Sequence, residues 1–244
     1  MKIPKLLQLA RDNASLSQRL RAETEGDEVS IYLHGVIGGW WGDISETDFS
    51  KALVAARGKV VHLRVDSPGG DVFAARSMMT AISQHDQKVI AHVDGLAASA
   101  ATGICMACAE TEISQGAGFM IHNSWTIALG NKGEMRKTAD LLESIDVGLT
   151  NDYARRTGKT AAEIAAWMDE ETWFTADQAK EHGFADRVVE VVAERGSNRW
   201  NLSAYANAPA ALVKPPTSTD DEADIRQHRN MLERRLALLE RTPA

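Results

Sequence analysis

Three short runs rich in β-branched residues, Val29–Val36, Val60–Val65 and Lys88–Val93, each end in glycine or turn residues and lead into a helical stretch. Strands that alternate with helices at this spacing specify a parallel sheet, because two parallel neighbours can be joined only by a crossover long enough to hold a helix. The helix ends are legible too. Ser45 with Asp48 three residues on opens Glu46–Ala56, and Gly58 stops it. Met135, Ala139, Leu142, Ile145, Leu149 and Tyr153 recur at three- and four-residue spacing, predicting one long amphipathic helix over Glu134–Thr157 ended by Gly158. Thr160 with Glu163, and Thr175 with Gln178, cap two further helices, the second ending at Gly183, and a strand at Arg187–Val191 closes the pattern. No repeat of solenoid period is visible.

With 244 residues, 44% of them hydrophobic, the chain has enough apolar material for one generous α/β domain, expected over residues 28–195. Residues 1–27 are polar with scattered leucines and read as a peripheral helix or a partly ordered arm. Beyond about residue 205 the composition turns to Ala, Pro, Ser, Thr and Asp, including Pro209, Pro215, Pro216, Asp220 and Asp221; residues 196–223 read as a flexible linker. Ile225, Met231, Leu232, Leu236 and Leu239 then mark an apolar stripe on a charged helix over 224–244. A net charge of −7 lacks the basic footprint of a nucleic-acid binder. No run of about 18 apolar residues and no signal-peptide core occurs, so neither a membrane nor export is expected and a cytoplasmic setting is.

Three segments carry the groups that chemistry needs. Asp94-Gly-Leu-Ala-Ala-Ser99 follows an apolar strand and runs into a small-residue helix, placing Ser99 at a strand-to-helix turn where unpaired amide hydrogens and a positive dipole end suit a developing oxyanion. On its own such a serine is more often a helix cap. Asp66-Ser-Pro-Gly-Gly-Asp71 also lies between strand and helix, and Gly69-Gly70 lets backbone approach a ligand; on its own it is a tight turn. Phe119-Met-Ile-His122 is an apolar strand ending in an imidazole that is either a satisfied core-edge group or a general base. Cys105 and Cys108, the only cysteines, lack a second pair for a metal and read as small buried hydrophobes; Trp40 and Trp41 read equally as core anchor or contact patch. No phosphate loop or metal motif occurs, so neither cofactor nor metal is expected and ATP hydrolysis would fall to a partner.

Taken in order, Ser67-Pro-Gly-Gly70, Gly95-Leu-Ala-Ala-Ser99, Met120-Ile-His122 and Thr172-Trp-Phe-Thr-Ala-Asp-Gln-Ala179 resemble the proteolytic subunit of Clp protease over roughly residues 28–192. The resemblance implies a crotonase-like fold of repeated ββα units, a homo-oligomeric ring, and a serine endopeptidase with Ser99 as nucleophile, His122 as base, and Gly70 and Ala100 as backbone oxyanion donors. It also implies that extended polypeptide adds as a strand beside Gly69, Asp71 and Val72 and the stretch from Asn123. The family aspartate two residues before the phenylalanine falls on Thr172 when Phe174 is aligned; Asp169 lies three residues earlier and Glu171 is adjacent, so Asp169, with Thr172 as alternative, is the expected orienting group. Ile121–Asn131 and Arg136–Asp140 look like the Clp-related head maturation proteases of tailed phages and prophages, which implies capsid and scaffold proteins as substrates, in the host cytoplasm or prohead interior. The alternatives are a housekeeping subunit working with an ATPase unfoldase, a crotonase-fold acyl-CoA enzyme, and an inactive assembly scaffold.

Overall fold

The computed structural model describes residues 5–13, 20–38, 44–190 and 200–210. These lie in one compact unit, Met1–Val213. The helix expected over 224–244, most of the linker, and Trp40 and Trp41 fall outside the described residues.

Eight strands among the described residues form the sheet: β1 (Arg21–Glu25), β2 (Glu28–Leu33), β3 (Val60–Ser67), β4 (Val89–Ala98), β5 (Glu110–Ser114), β6 (Gly118–Ile121), β7 (Thr172–Thr175) and β8 (Arg187–Val189). The order β1-β2-β3-β4-β5-β8 is parallel from β2 onward, and β1 turns back antiparallel on β2. The helices are α1 (Lys5–Asn13), α2 (Glu46–Ala55), α3 (Val72–Ser83), α4 (Ala100–Ala107), α5 (Lys132–Thr157), α6 (Ala161–Asp169) and α7 (Ala176–Glu181). This is the mixed α/β architecture that the strand–helix alternation predicts.

Alternation along each strand decides which face is buried. Val61, Leu63 and Val65 of β3 and Val89, Ala91 and Val93 of β4 point into the core with Phe49, Met78 and Ile104 from the helices. Their neighbours form a half-buried polar ladder on the other face: His62 Nδ1 lies 2.9 Å from His92 Nε2, His92 Nδ1 lies 3.0 Å from Glu112, and Arg64 pairs with Asp94. Capping follows the sequence signals. The Ser45 hydroxyl accepts from Asp48 N; Thr160 with Glu163 and Thr175 with Gln178 form reciprocal boxes; and Gly158 closes α5 at φ 72°, a left-handed turn that spares glycine a Cβ clash. α5 starts two residues earlier than its apolar period indicates, because Asn131 and Glu134 make a further capping box.

Strand β4 is long enough to pair with two different strands along one edge. Its first half pairs with β5, Ile90–Val93 against Glu110–Ile113, while its last residues pair with β6, Leu96, Ala97 and Ala98 against Gly118, Phe119 and Met120. β6 in turn carries β7 antiparallel. The branch sets the end of β6 beside the end of β4.

Two regions differ from the composition-based expectation. The polar arm contributes β1, fully exposed along its length, which strand propensity alone would not select but which β2 templates through its open edge. Residues 200–210, assigned by composition to a linker, instead pack: Trp200, Leu202, Ala204 and Tyr205 are buried with Leu9 of α1 and with Leu96, Ala98 and Met120 of the branch. Trp200 Nε1 donates to Asp66 at 2.7 Å, and Asn13 and Asn201 exchange hydrogen bonds at 2.7 and 2.9 Å. Four large or apolar side chains in six residues outweigh the prolines that follow. Trp200→Ala is expected to lower the unfolding free energy by about 3–5 kcal/mol, the cost of emptying a buried aromatic site, as measured by urea titration of the full chain.

Candidate active site

The branch point brings two distant residues together by register. Ala98 of β4 is paired with Met120 of β6, and the Ser99 N–H continues the ladder onto Met120 O at 2.8 Å. Ser99 is therefore beside the end of β6, where His122 follows, and His122 Nε2 lies 2.7 Å from Ser99 Oγ. The hydroxyl makes no cap bond to α4, which removes the helix-cap reading of this serine. Ser99 holds φ 53°, ψ −125°, a backbone region that L-residues avoid and that costs on the order of 1–3 kcal/mol. Thr102 braces the turn, its hydroxyl 2.5 Å from Ser99 O and 2.6 Å from the buried Tyr153 hydroxyl.

Gly69 and Gly70 lie against this turn. A Cβ on Gly69 would stand 2.7 Å from Ala98 O and 2.8 Å from Ser99 Cβ; one on Gly70 would stand 2.0 Å from Ile37 O. Only glycine permits this approach, at φ 94° and 149°. Ile37 N donates to Gly69 O and Ile37 O accepts from Asp71 N, both at 2.9 Å, so this bridge leaves the Gly70 N–H unused. Ala100 opens α4, where an N–H has no intrahelical partner.

His122 is only 7% exposed. Burial, with the charge of Lys5 adding to it, pushes the imidazole down from its ordinary 6.5 to about 3, so it is a neutral ring at physiological pH. Trp125 packs edge-on at 4.5 Å and Tyr205 at 5.4 Å between ring centroids. Beside it a cleft runs between α3, α4 and α5, lined by Val72, Ala75, Met79, Gly103, Leu149 and Tyr153, with Ser99 and His122 at its head. Arg76 and Ser124 also line it, and its volume of about 20 Å³ is room for roughly one water.

The remaining expected site residues are placed differently. Asp169 ends α6 and accepts from Asn123 Nδ2 at 2.7 Å in an exposed pair, so neither Asp169 nor the Asn123 amide is turned to His122. The Thr172 hydroxyl donates to Trp167 O at 2.8 Å and is likewise spent elsewhere. Asp71 caps α3 through Ala74 N at 2.8 Å, a helix-end role for its side chain; Val72 does line the cleft. Glu171 stands immediately before β7. β6 and β7 pair Ile121 with Thr172, and one step beyond stand His122 and Glu171. Glu171 is buried, but its backbone turns left-handed at φ 50° and its carboxylate accepts from the N–H groups of Ala206 and Asn207 at 2.9 and 2.7 Å. Counting two residues back from Trp173 rather than Phe174 would have picked it out of the sequence. Tyr205 had no such signal, since its neighbours in sequence carry no motif.

Cys105 and Cys108 are free and buried, and burial pushes the Cys105 thiol up to about 12, which fits small core residues and no metal or redox site. Among the described residues no metal-ligating cluster occurs, and no helix is long and apolar enough to cross a membrane.

A strained serine on a strand-to-helix turn, a buried neutral imidazole on its hydroxyl and a glycine pair against it define a serine-hydrolase type of site on a crotonase-like scaffold. The Clp protease family model matches residues 48–192, and the chain belongs to the Clp protease family of serine peptidases. Subunits 3 and 2 of the ATP-dependent Clp protease proteolytic component of Rhodococcus jostii are 32% and 30% identical over 136 and 138 residues; these matches cover 54% and 56% of this chain and 66% and 71% of those proteins. The proteolytic subunit of Bacteroides fragilis is 28% identical over 134 residues, covering 54% of this chain and 65% of its own. The structure of a ClpP1 mutant from Listeria monocytogenes superposes with a TM-score of 0.59 at 21% identity, over 67% of this chain and 92% of that one, which shows the shared fold.

Two depressed histidines contribute to the acid response of the fold. His122, and His92 on the polar ladder, which burial first and then Arg64 and His62 lower to about 4, take up protons more readily unfolded than folded. Their contribution is whole above pH 6.5 and is lost as pH falls toward those lower values. The thermal midpoint is expected to drop between pH 7 and pH 5, and His92→Gln to flatten that slope whatever it does to the midpoint at pH 7.

Proposed function

We propose that the protein hydrolyses peptide bonds with Ser99 as nucleophile and His122 as general base, the Gly70 and Ala100 N–H groups holding the oxyanion. The observation that carries this is the 2.7 Å contact between His122 Nε2 and a Ser99 hydroxyl held on a strained turn. A neutral imidazole accepts the hydroxyl proton as Oγ attacks the scissile carbonyl; it returns that proton to the leaving amine as the C–N bond breaks, leaving an acyl-serine. Water, deprotonated by the same ring, then cleaves the ester. The glycine pair keeps the Gly70 N–H within reach of the new oxyanion without a side chain in between, the Gly69 N–H being held by Ser67 Oγ. Substrate lies extended along Gly69–Val72. Family relatives are named as proteolytic subunits of ATP-dependent proteases, which supports a ring assembly and leaves room for an ATPase partner.

Within that chemistry, processing of capsid and scaffold proteins during phage head maturation is the finer reading, supported by the likeness of Ile121–Asn131 and Arg136–Asp140 to that branch. A general degradative subunit differs from it in partner, not in mechanism.

Ser99→Ala is expected to remain folded and to lose turnover and fluorophosphonate labelling; His122→Ala is expected to slow labelling by roughly a thousandfold or more, since a nucleophile and its base fail together. Labelling of Ser99 at an equal rate in wild type and His122→Ala would rule out the imidazole as base.

A further inference from the structure

We propose that Tyr205 is a positioning residue of this active site: the segment 200–210 sets its ring edge-on against His122 and its hydroxyl on the loop that carries the oxyanion glycines. The inference rests on the reading of Ser99 and His122 given above.

The geometry joins both halves of the site through one side chain. The Tyr205 hydroxyl donates to Pro68 O at 2.5 Å, one residue before Gly69 and Gly70, while the ring meets His122 at 5.4 Å and 85°. Trp125 and Trp173 pack on the same ring at 5.0 and 5.8 Å, and Trp125 meets His122 directly. Burial pushes the phenol above its ordinary 10.0, so the hydroxyl is a neutral donor fixed on Pro68 O.

Nothing about this arrangement is loose. Glu171 takes the Ala206 and Asn207 amides, Asn207 Nδ2 donates to Glu170 O at 2.6 Å, and Trp200 is anchored on Asp66. The buried Glu171 carboxylate is thus used to fix the backbone next to Tyr205, and Tyr205 bears on the imidazole. In this form of the site, packing performs the orienting that a hydrogen-bonded carboxylate performs elsewhere. A purely structural segment would need only to cover apolar surface; a tyrosine hydroxyl on the oxyanion loop and a ring on the base constrain the two groups that must be aligned for attack.

Ser99 from the β4–α4 turn and Tyr205 meet His122 directly, and the charge that acts on it is that of Lys5 of α1, whose ammonium lies 5.1 Å from the Trp125 ring. Burial, and then Lys5, holds the imidazole low. Removing the Tyr205 ring admits water, and the acid limb of the pH–rate profile moves up toward the ordinary 6.5.

The test is the pH dependence of Ser99 acylation by a fluorophosphonate, with kcat and KM for a fluorogenic peptide, in the full chain carrying Tyr205→Phe, Tyr205→Ala or Tyr205→Leu. Tyr205→Phe keeps the ring and is expected to retain the wild-type pH profile. Tyr205→Ala is expected to lose roughly tenfold to a hundredfold in kcat with KM little changed and the acid limb displaced upward. Where Tyr205→Ala does not fold, Tyr205→Leu, which keeps the site filled and dry, is expected to lose kcat with the limb unmoved. An alanine or leucine variant with wild-type kcat and profile overturns the inference and leaves the proposed function standing; a faster variant overturns it by making the segment a cover. Wild-type chain whose Ser99 is never labelled removes the proposed function and this inference with it.

Discussion

The pairing of the last three residues of β4 with β6 is the constraint on which the site depends. It gives one end of a buried parallel strand a second partner, leaving Ser99 at a turn that must be left-handed and delivering His122 from a strand 20 residues later in the chain. A parallel ladder fixes register at every step, so a one-residue slip would reverse which face each of these residues meets. The strain at Ser99 is stored because the core beneath it, Ala100, Ala101, Ile104 and Cys105 of α4, is fully committed to packing and leaves the turn no room to relax.

Around that pairing, three different kinds of force hold three different groups. Sterics hold the glycine loop, since Gly70 has a backbone oxygen where any side chain would begin. Desolvation holds His122 neutral. Hydrogen bonding holds Glu171 to the segment that covers the imidazole. A buried carboxylate without partners would be costly; two amide hydrogens make it tolerable, and its turned backbone explains why it serves them rather than the histidine.

The contrast between the two faces of the sheet has its own logic. Parallel sheets are usually covered on both sides, and their strands read as continuous apolar runs. Here β3 and β4 alternate apolar with His, Arg and Asp, and the second face is a half-buried ladder of polar groups in which His62 Nε2 is left without a hydrogen-bond partner. A face of that character is compatible with water or with a neighbouring surface.

Much was written into the sequence because it depends on neighbours along the chain: strand alternation, the capping residues at Ser45, Thr160 and Thr175, the glycine stop at Gly158, and the glycine pair that only a crowded loop requires. Motif order marked Ser99 and His122 as well, but not their contact. What tertiary structure alone decided lies where distant segments meet. Residues 200–210 have a linker's composition, yet the gap above Met120 and Leu96 accepts Trp200 and Tyr205. Asp169 and Glu171 are equivalent carboxylates to a reader of the chain, separated only by where a helix ends and a strand begins. Local propensity sums over a few residues; burial and register sum over the whole fold, and at these positions the larger sum prevails.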